Sequence, residues 1–405
     1  MHSVAITGMG IVSCLGCGKE KVTQSLKHCK GGIRLVPERK VIGFRSALSG
    51  VIDDFQMPKI ERKKSLSMPE FVKHGYVAAL EAIGQAGWSD DEIRSEKTAL
   101  ILGNDSSTLA NYKQAALTME AKSTMSLGAN LVFQALTSTV TMNLNVLLGN
   151  RGASWTLSGA CASAGHAIGQ AAGLIAMGRQ DRAVSGGVQE VNWENVAAFD
   201  AINALSTRED EPHRASRPFD ALRDGLIPGG GAAVVCLERE ELARKRGAPI
   251  LCTVKSYAFS SDGKNLAVPT GEGLQRCMEE CLKGGCTNTD EVDYICAHAT
   301  STPLGDRAEA AAIYNVFGAQ GPWVSSLKSY TGHEMWMAGA GQVVYSLLMA
   351  AEHFIAPNLN FERQEQDAPP LKIVKEITDF NLKKILCNSS GFGGTNSCLL
   401  LDLEN

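Results

Sequence analysis

Residues 156–178 read TLSGACASAGHAIGQAAGLIAMG, a long run of small and apolar residues with one cysteine, Cys161, near its start. No Asp, Glu, Lys or Arg occurs from 152 to 178. A membrane-spanning helix needs about 20 apolar residues, so length alone would suffice. Polar residues interrupt the run, however, and Gly159 breaks it. We therefore expect a strand over 153–158 followed by a fully buried helix, and we expect no membrane span elsewhere.

The composition is that of a globular enzyme with a large core. The chain has 405 residues, of which 44% are hydrophobic and 20% charged. Its net charge of −4 argues against a protein that binds nucleic acid through its main surface. Twelve cysteines without the spacing of a disulfide framework indicate reduced thiols. The start, MHSVAITGMG, lacks the features of a signal peptide, so we expect a cytoplasmic protein.

Two short patterns suggest binding sites that we do not expect to form. Cys277, Cys281 and Cys286 lie in RCMEECLKGGC, which is typical of a helix ending at Gly-Gly, and no histidine follows nearby. We predict no metal site and no cofactor. Gly8 and Gly10 begin like a dinucleotide fingerprint, but the third glycine is missing. We interpret that segment as a strand that runs into a tight turn.

The rest of the chain alternates strands with helices, which predicts an α/β fold with helix-covered sheets. Predicted strands cover 98–104, 181–189, 231–239, 248–262, 292–300, 322–330 and 383–396, and predicted helices cover 131–149, 306–318 and 338–354. They form two series, at 1–240 and 248–405, with no Pro/Gly/Ser-rich linker between them. We expect two intimately packed halves.

Polar, glycine-rich segments follow strands in both halves. In open α/β sheets, sites form at the carboxyl ends of strands. We therefore expect four segments to share one pocket, namely those around Cys161, His298, the pair Lys328 and His333, and Phe392.

The thiol of Cys161 follows a predicted strand and opens a predicted helix. The positive end of the helix dipole and unpaired backbone N–H groups favour a thiolate at such a place. A buried structural cysteine is the alternative, since most free cysteines are buried.

The segment AHATSTPLGDRAE contains one imidazole, three hydroxyls (including that of Ser301) and two acids. His298 ends a predicted strand, and Thr300 and Thr302 follow it. Asp306 and Glu309 fall on the predicted first turn of a helix, where acids are common. A structural histidine is the alternative interpretation here.

Two further segments offer donors of hydrogen bonds. In SLKSYTGHEMWMAGAG, Lys328 and His333 lie five positions apart across a Thr-Gly turn. A lysine near imidazoles helps to keep them neutral, and a neutral imidazole donates one hydrogen bond. In NSSGFGGTN, three glycines surround Phe392, so that backbone N–H groups can approach a ligand. A solvated lysine and a plain glycine-rich turn are the alternatives.

Together the segments supply a nucleophilic thiol, two imidazoles, a lysine and an amide-rich loop. This set suits carbon–carbon bond formation on thioesters. Attack by the thiolate gives an acyl-enzyme, and imidazole donors can hold an enolate oxygen after a malonyl group loses carbon dioxide.

At this point the chain resembles a family, the beta-ketoacyl-acyl-carrier-protein synthases, which are elongating condensing enzymes of the thiolase fold. The motifs that carry the resemblance are VAITGMGIVSCLG, GACASAGHAIGQA, FDAINALST, ASRPFDALRDGLIPGGGAAVVCLE, VPTGEG, AHATSTPLGDRAEAAAI, SLKSYTGH and GFGGTNSCLLL. They span nearly the whole chain, and the type I bacterial synthases look most similar. The resemblance implies a thiolase-like duplicated βαβαβαββ fold in five layers, usually dimeric through the N-terminal half.

The resemblance also implies roles for single residues. Cys161 matches the acyl-accepting nucleophile. His298 and His333 match the pair that promotes malonyl decarboxylation and stabilises the enolate. Lys328 matches the lysine that supports those histidines, and Glu309 matches the acid that pairs with it.

Further implied roles concern substrate entry. Phe392 matches a gating aromatic whose backbone N–H, with that of the nucleophile, forms an oxyanion hole. Thr300 and Thr302 match threonines that hold the phosphopantetheine arm. Arg62 and Lys63, in KIERKKS, fall where such enzymes dock the acidic acyl carrier protein.

The sequence also departs from the family pattern. Ala299 replaces a glycine, Gln342 stands where a glutamate often occurs, Ser390 replaces an aromatic residue, and Glu334, Met335, Trp336 and Met337 replace small residues. These departures leave gating, cation binding and substrate shape open. The variant GHEMWMAGAG is similar to that of ketosynthases from aryl-polyene pathways.

The expected partners are acyl-ACP and malonyl-ACP, together with a second subunit. That subunit makes either a homodimer or a heterodimer in which this chain is the catalytic half beside a chain-length-factor-like partner. A thiolase acting on coenzyme A esters is an alternative, with Cys387 or Cys398 as its base. A non-catalytic partner subunit and a Cys–His hydrolase are weaker alternatives. We expect no nucleic-acid partner.

Overall fold

The fold is built on one mixed eleven-stranded sheet with helices on its faces. The computed structural model describes residues 1–403. The strands are β1 (Val4–Ser13), β2 (Gly16–Cys17), β3 (Ile33–Leu35), β4 (Leu48–Gly50), β5 (Thr98–Gly103), β6 (Ser154–Leu157), β7 (Arg182–Gln189), β8 (Gly231–Arg239), β9 (Cys252–Ser261), β10 (Tyr294–Cys296), β11 (Trp323–Ser325), β12 (Phe354–Ile355), β13 (Thr378–Asp379), β14 (Lys384–Ser390) and β15 (Thr395–Asp402). The helices are α1 (Lys19–Lys27), α2 (Glu38–Val41), α3 (Arg62–Ser65), α4 (Glu70–Ala86), α5 (Asp90–Ile93), α6 (Thr108–Ala121), α7 (Leu131–Ala135), α8 (Thr139–Leu148), α9 (Ser163–Ala176), α10 (Trp193–Ala201), α11 (Pro212–Ala215), α12 (Glu240–Lys245), α13 (Glu272–Gly284), α14 (Pro303–Phe317), α15 (Lys328–Thr331) and α16 (Ala338–Ala351).

The sheet contains the same five-strand array twice. The first array has the order β6-β5-β7-β8-β1, and the second has the order β11-β10-β14-β15-β9. In both, the first three strands are parallel and the last two are antiparallel to their neighbours. Each half therefore follows the βαβαβαββ order, which confirms the predicted fold class. Strands β1 and β9 pair at Ala5–Thr253 and Ile6–Cys252 and join the two arrays directly.

Helices form three layers around the two arrays. Helices α4 and α8 cover the outer face of the first array in one apolar cluster, and α13 and α14 cover the second in another. Helices α9 and α16 share a third cluster with both arrays and lie between them. Within residues 1–403, no helix is long and apolar enough to cross a membrane.

Small residues are required at the positions of α9 that face other backbone or rings, because this helix is buried along most of its length. As predicted, α9 is largely buried and follows a strand. A Cβ added to Gly169 would lie 2.2 Å from the ring of Tyr257 in β9. A Cβ added to Gly339 in α16 would lie 2.6 Å from the backbone nitrogen of Gly165 in α9. The two central helices thus cross at glycines close to their N-terminal ends.

The glycines at the start of the chain have a role that we did not predict. Strand β1 continues through Gly8 and Gly10, so the predicted turn at that point is wrong. A Cβ at Gly8 would lie 2.1 Å from the carbonyl oxygen of Ala82, and one at Gly10 would lie 2.1 Å from that of Ala78. These glycines let α4 pack directly on the strand.

The helix predicted over 131–149 is broken into α7 and α8. Two carbonyl groups between them accept hydrogen bonds from distant side chains. Ser107 Oγ donates to Leu136 at 3.0 Å, and Asn104 Nδ2 donates to Thr137 at 2.8 Å. Because these carbonyls are engaged elsewhere, the helical ladder does not continue.

One predicted strand ends earlier than expected, and one predicted helix begins earlier. The strand predicted over 322–330 ends at Ser325, and Lys328 begins helix α15. The hydroxyl of Ser326 donates to Ala299 at 2.6 Å, while its N–H donates to Asn358, which removes this residue from the ladder. Helix α14 begins at Pro303, earlier than predicted, and so Glu309 lies in its second turn.

The glycine crossing can be tested by adding one methyl group. Gly339→Ala should lower the free energy of unfolding by about 1–3 kcal/mol, because its Cβ would meet backbone that has no room to move. The measurement is urea denaturation followed by circular dichroism.

The matched control for this substitution is Gly173→Ala. Gly173 lies in α9, but a Cβ there would have no atom within 4 Å. Because alanine is the better helix former, this variant should gain about 0.5–1 kcal/mol. Equal effects of the two substitutions would contradict the proposed close crossing.

Candidate active site

The four segments singled out from the sequence meet at one cavity of about 410 Å³. The predicted site residues that line it are Cys161, His298, Thr300, Thr302, Glu309, His333 and Phe392. Lys328 is buried beside it, at the first position of α15. Arg62 and Lys63 lie elsewhere, exposed on α3.

Cys161 lies on a strained turn that leads into α9. The turn is a single 3-10 turn, Ala160–Ala162, and Ala160 has a positive φ of 47°. Such a conformation costs about 1–2 kcal/mol for a residue other than glycine. Two hydrogen bonds hold it: Ala160 N donates to Asp105 Oδ2 at 3.0 Å, and Ser163 Oγ donates to the Ala160 carbonyl at 2.6 Å. Asp105 is a site residue that we did not predict.

The thiol of Cys161 is neutral in the resting site. Burial raises the pKa of the thiol to about 12, and the nearby charge of Lys328 lowers it only in part. The expected thiolate at a helix N-terminus is therefore not favoured here, because the cost of desolvating the anion outweighs the helix end. The thiol needs a base within reach.

His333 is placed to act as that base. Its Nε2 lies 3.0 Å from Cys161 Sγ, and its backbone N–H donates to the Ile227 carbonyl at 2.6 Å. The ring of His298 lies perpendicular to that of His333, with centroids 5.2 Å apart. Burial, followed by the charge of Lys328, holds the pKa of each imidazole well below its usual value. Both rings are therefore neutral at physiological pH.

Lys328 and Glu309 are electrostatic neighbours of the histidines rather than a contact pair. Glu309 Oε1 accepts from the backbone N–H of His298 at 2.9 Å and thereby fixes the end of that segment. In the described part of the chain, Lys328 Nζ and Glu309 Oε2 have no hydrogen-bond partner. Burial raises the pKa of Glu309 to about 7, against the lowering effects of the His298 N–H and Lys328. Burial lowers the pKa of Lys328.

The two threonines present their hydroxyls at the entrance to α14. Thr300 Oγ1 and Thr302 Oγ1 lie 3.0 Å apart. Asp306 shapes this turn, because its Oδ1 accepts from the N–H groups of Thr300 and Ser301 at 2.9 and 3.1 Å. From the sequence we predicted only that Asp306 is an acid near the start of a helix. We did not predict its hydrogen bonds to the preceding loop.

Phe392 lies at the mouth of the cavity on the glycine-rich loop. Its side chain is 46% exposed and stacks on Phe199 of α10, with ring centroids 5.9 Å apart. Gly393 N–H donates to Leu266 at 2.8 Å and anchors the loop on a neighbouring segment. We missed Phe199, although it begins the motif FDAINALST that contributed to the resemblance.

Trp336, one of the departures from the family pattern, packs beside Cys161. It shares a small apolar cluster with Cys161, and its Nε1 donates to Ser106 Oγ at 3.0 Å. Ser106 Oγ donates in turn to the buried carboxylate of Glu190 at 3.0 Å. No sequence pattern links Ser106 and Glu190 to the site, because the contact joins distant positions in the chain.

Two alternatives for the chemistry find little support in the geometry. Within residues 1–403, Cys387 and Cys398 are buried in β14 and β15 and do not line the cavity. Neither can serve there as the second cysteine of a thiolase. Nδ1 of His298 and of His333 has no hydrogen-bond partner in the same range, so neither ring has the orienting acid of a Cys–His hydrolase.

Comparison with known proteins gives consistent results over the full chain. The family model described as Beta-ketoacyl synthase, N-terminal domain, matches residues 1–243, and Beta-ketoacyl synthase, C-terminal domain, matches residues 251–362. The chain is 39% identical to 3-oxoacyl-[acyl-carrier-protein] synthase 1 of Haemophilus influenzae, covering 100% of both chains.

The solved structures that are similar to this chain include a beta-ketoacyl synthase and a ketosynthase/chain length factor. A beta-ketoacyl synthase from Burkholderia phymatum superposes with a TM-score of 0.95 at 32% identity, covering 100% of both chains. The ishigamide ketosynthase/chain length factor superposes with a TM-score of 0.92 at 26% identity, again over 100% of both chains. With its duplicated fold and the cysteine and two histidines in one cavity, this chain belongs to the beta-ketoacyl synthase family.

Proposed function

We propose that this protein is a 3-oxoacyl-acyl-carrier-protein synthase, which lengthens an acyl chain by decarboxylative condensation with a malonyl thioester. The observation that carries the proposal is the 3.0 Å contact between Cys161 Sγ and His333 Nε2, with His298 facing the same cavity. The name of the Haemophilus influenzae relative supports the same reaction.

In the first half-reaction, the acyl group moves to Cys161. His333 takes the thiol proton, and the sulfur attacks the carbonyl carbon of the incoming acyl thioester. The resulting oxyanion accepts hydrogen bonds from the backbone N–H groups of Cys161 and Phe392. When the intermediate collapses, the carrier thiolate leaves and takes up the proton, and the acyl group remains on Cys161 as a thioester.

In the second half-reaction, a malonyl thioester enters along the threonine hydroxyls. Loss of carbon dioxide leaves an electron pair as an enolate, whose oxygen accepts hydrogen bonds from the neutral imidazoles of His298 and His333. For this step His333 carries its single proton on Nε2, the tautomer opposite to the one that accepts the thiol proton. The enolate carbon attacks the acyl group on Cys161 and forms the new carbon–carbon bond. Cys161 leaves as the thiolate and takes up a proton from solvent. Lys328 acts by keeping both imidazoles neutral.

We propose acyl carrier protein as the carrier of both substrates, with Arg62 and Lys63 as part of its docking surface. Both side chains are exposed, and in residues 1–403 neither lies within 4 Å of a carboxylate. They are therefore available to an acidic partner.

The second subunit is a copy of this chain or a chain-length-factor-like protein. The solved ishigamide ketosynthase/chain length factor supports the second possibility. The complete set of Cys161, His298 and His333 in this chain makes it the catalytic partner in either assembly. We propose a cytoplasmic location, because the chain is rich in unpaired cysteines.

Acyl loading tests the nucleophile. Cys161→Ala should show no acyl mass gain when incubated with acyl-ACP and no malonyl donor, as measured by intact-mass spectrometry. Cys286→Ala, which removes an exposed cysteine, should load like the unaltered protein. A stable acyl adduct on Cys161→Ala would overturn the assignment.

The role of Lys328 predicts a shift in the pH profile. Protonated imidazoles cannot accept the thiol proton, so activity falls on the acid side when they titrate. Because Lys328 lowers the pKa of both histidines, Lys328→Met should raise both values and move the acid limb of kcat/KM to higher pH. The measurement is the rate of acyl loading on Cys161 from acyl-ACP between about pH 8 and pH 5.

The control for that experiment is Lys283→Met on the exposed surface of α13. It should leave the profile unchanged. If Lys328→Met lowers activity equally at every pH, Lys328 does not act through the histidines.

Carrier-protein docking can be separated from chemistry by changing the carrier. Arg62→Glu combined with Lys63→Glu should raise KM for acyl-ACP about tenfold or more, and salt should weaken binding of the unaltered protein. Reaction with the same acyl group on free pantetheine should not change. Lys245→Glu combined with Lys283→Glu, at exposed positions of two other helices, is the charge-matched control. An equal loss with both carriers would place the two residues outside the docking surface.

A further inference from the structure

One buried amide joins the segments that carry the active site. Gln342 lies in α16 and is 3% exposed. Its Nε2 donates to the carbonyl oxygens of Cys296, Ala297 and Asn388 at 2.8, 3.0 and 2.8 Å. Its Oε1 accepts from Ser389 Oγ at 3.1 Å.

The chemistry of these contacts determines which way the amide points. Carbonyl oxygens only accept hydrogen bonds, so the atom that faces all three must be the nitrogen. Two N–H groups serve three acceptors, and the amide oxygen receives the serine hydroxyl. Gln342 is thus fully satisfied in a site where an unpaired polar group would be costly.

The three accepting carbonyls belong to segments that end in the cavity. Ala297 immediately precedes His298. Asn388 lies in β14, which leads into the loop of Phe392. Gln342 itself lies in the helix that follows His333. The side chain of Gln342 therefore fixes the relative positions of the His298 segment, the Phe392 loop and helix α16, which follows His333.

In the family that this chain resembles, a glutamate often stands at this position, and cation binding was left open by the sequence. Three carbonyl oxygens and a carboxylate would suit a hard cation. Here the amide nitrogen of Gln342 takes the place where a cation would contact those oxygens, and its hydrogens point at them. The residues present do not fit a cation.

We infer that Gln342 is a positioning residue. Its neutral amide holds together the segments of Cys296, Ala297 and Asn388, a role that a bound cation would otherwise fill. The structural part of this inference is independent of the reaction, while its effect on rate rests on the proposed function. The enzyme should work and stay folded without any particular metal ion.

The test is Gln342→Glu, purified in potassium and then exchanged into a buffer whose sole cation is tetramethylammonium. A carboxylate would face three carbonyl oxygens with no hydrogen between them. The melting temperature should fall, and the condensation rate should fall about tenfold or more. Adding potassium or magnesium should restore both. The unaltered protein should show the same melting temperature and rate in every buffer.

Two further variants keep the inference open to refutation. Gln342→Met has similar length but no N–H, so it should lose stability and rate with no response to cations. Gln180→Glu places a carboxylate near the backbone carbonyls of Glu96 and Arg179, outside the lining of the cavity, and should likewise show no cation rescue.

The melting temperatures need no substrate, so they test the amide even if the proposed reaction is wrong. A cation-dependent melting temperature in the unaltered protein would overturn the inference. So would Gln342→Glu or Gln342→Met behaving like the unaltered protein in tetramethylammonium.

Discussion

The close approach of the two central helices is the constraint on which the site depends. Gly165 and Gly339 lie near the N-terminal ends of α9 and α16, and the two backbones meet where a single Cβ would not fit. Because the helices cross at that point, the turns that precede them lie side by side. One turn carries Cys161 and the other follows His333, so the contact between sulfur and imidazole is a consequence of helix packing.

The duplication of the fold extends to the backbone of these turns. Each central helix is preceded by a 3-10 turn that begins with a non-glycine residue at positive φ, Ala160 at 47° and Met335 at 40°. Cys161 in one half therefore corresponds to Trp336 in the other. One half thus presents the thiol of Cys161, while the other places a large indole beside it. Strained backbone of this kind persists only where surrounding contacts hold it.

Burial sets the protonation states of the site. Dry surroundings raise the pKa of the Cys161 thiol and lower those of both histidines, and the charge of Lys328 opposes the first effect and reinforces the second. Glu334 adds a second buried acid, whose pKa burial raises to about 7 and which accepts a hydrogen bond from Tyr345 at 2.6 Å. The resting site is thus an uncharged thiol beside neutral imidazoles, and proton transfer from Cys161 to His333 creates a thiolate–imidazolium pair only as the thiol attacks.

Local sequence patterns were enough to predict the α/β alternation, the two series of elements, the buried helix after Cys161 and the segments that share the cavity. These features follow from hydrophobic periodicity and from where glycines and polar residues stand relative to strands, which are local properties. Tertiary structure decided the rest. Gly8 and Gly10 lie inside a strand because a helix packs on them, the helix at 131–149 breaks because distant side chains take its carbonyls, and the thiol is neutral because it is buried. Contacts such as Trp336 with Ser106 or Gln342 with Asn388 join positions far apart in the chain, and no local pattern records them.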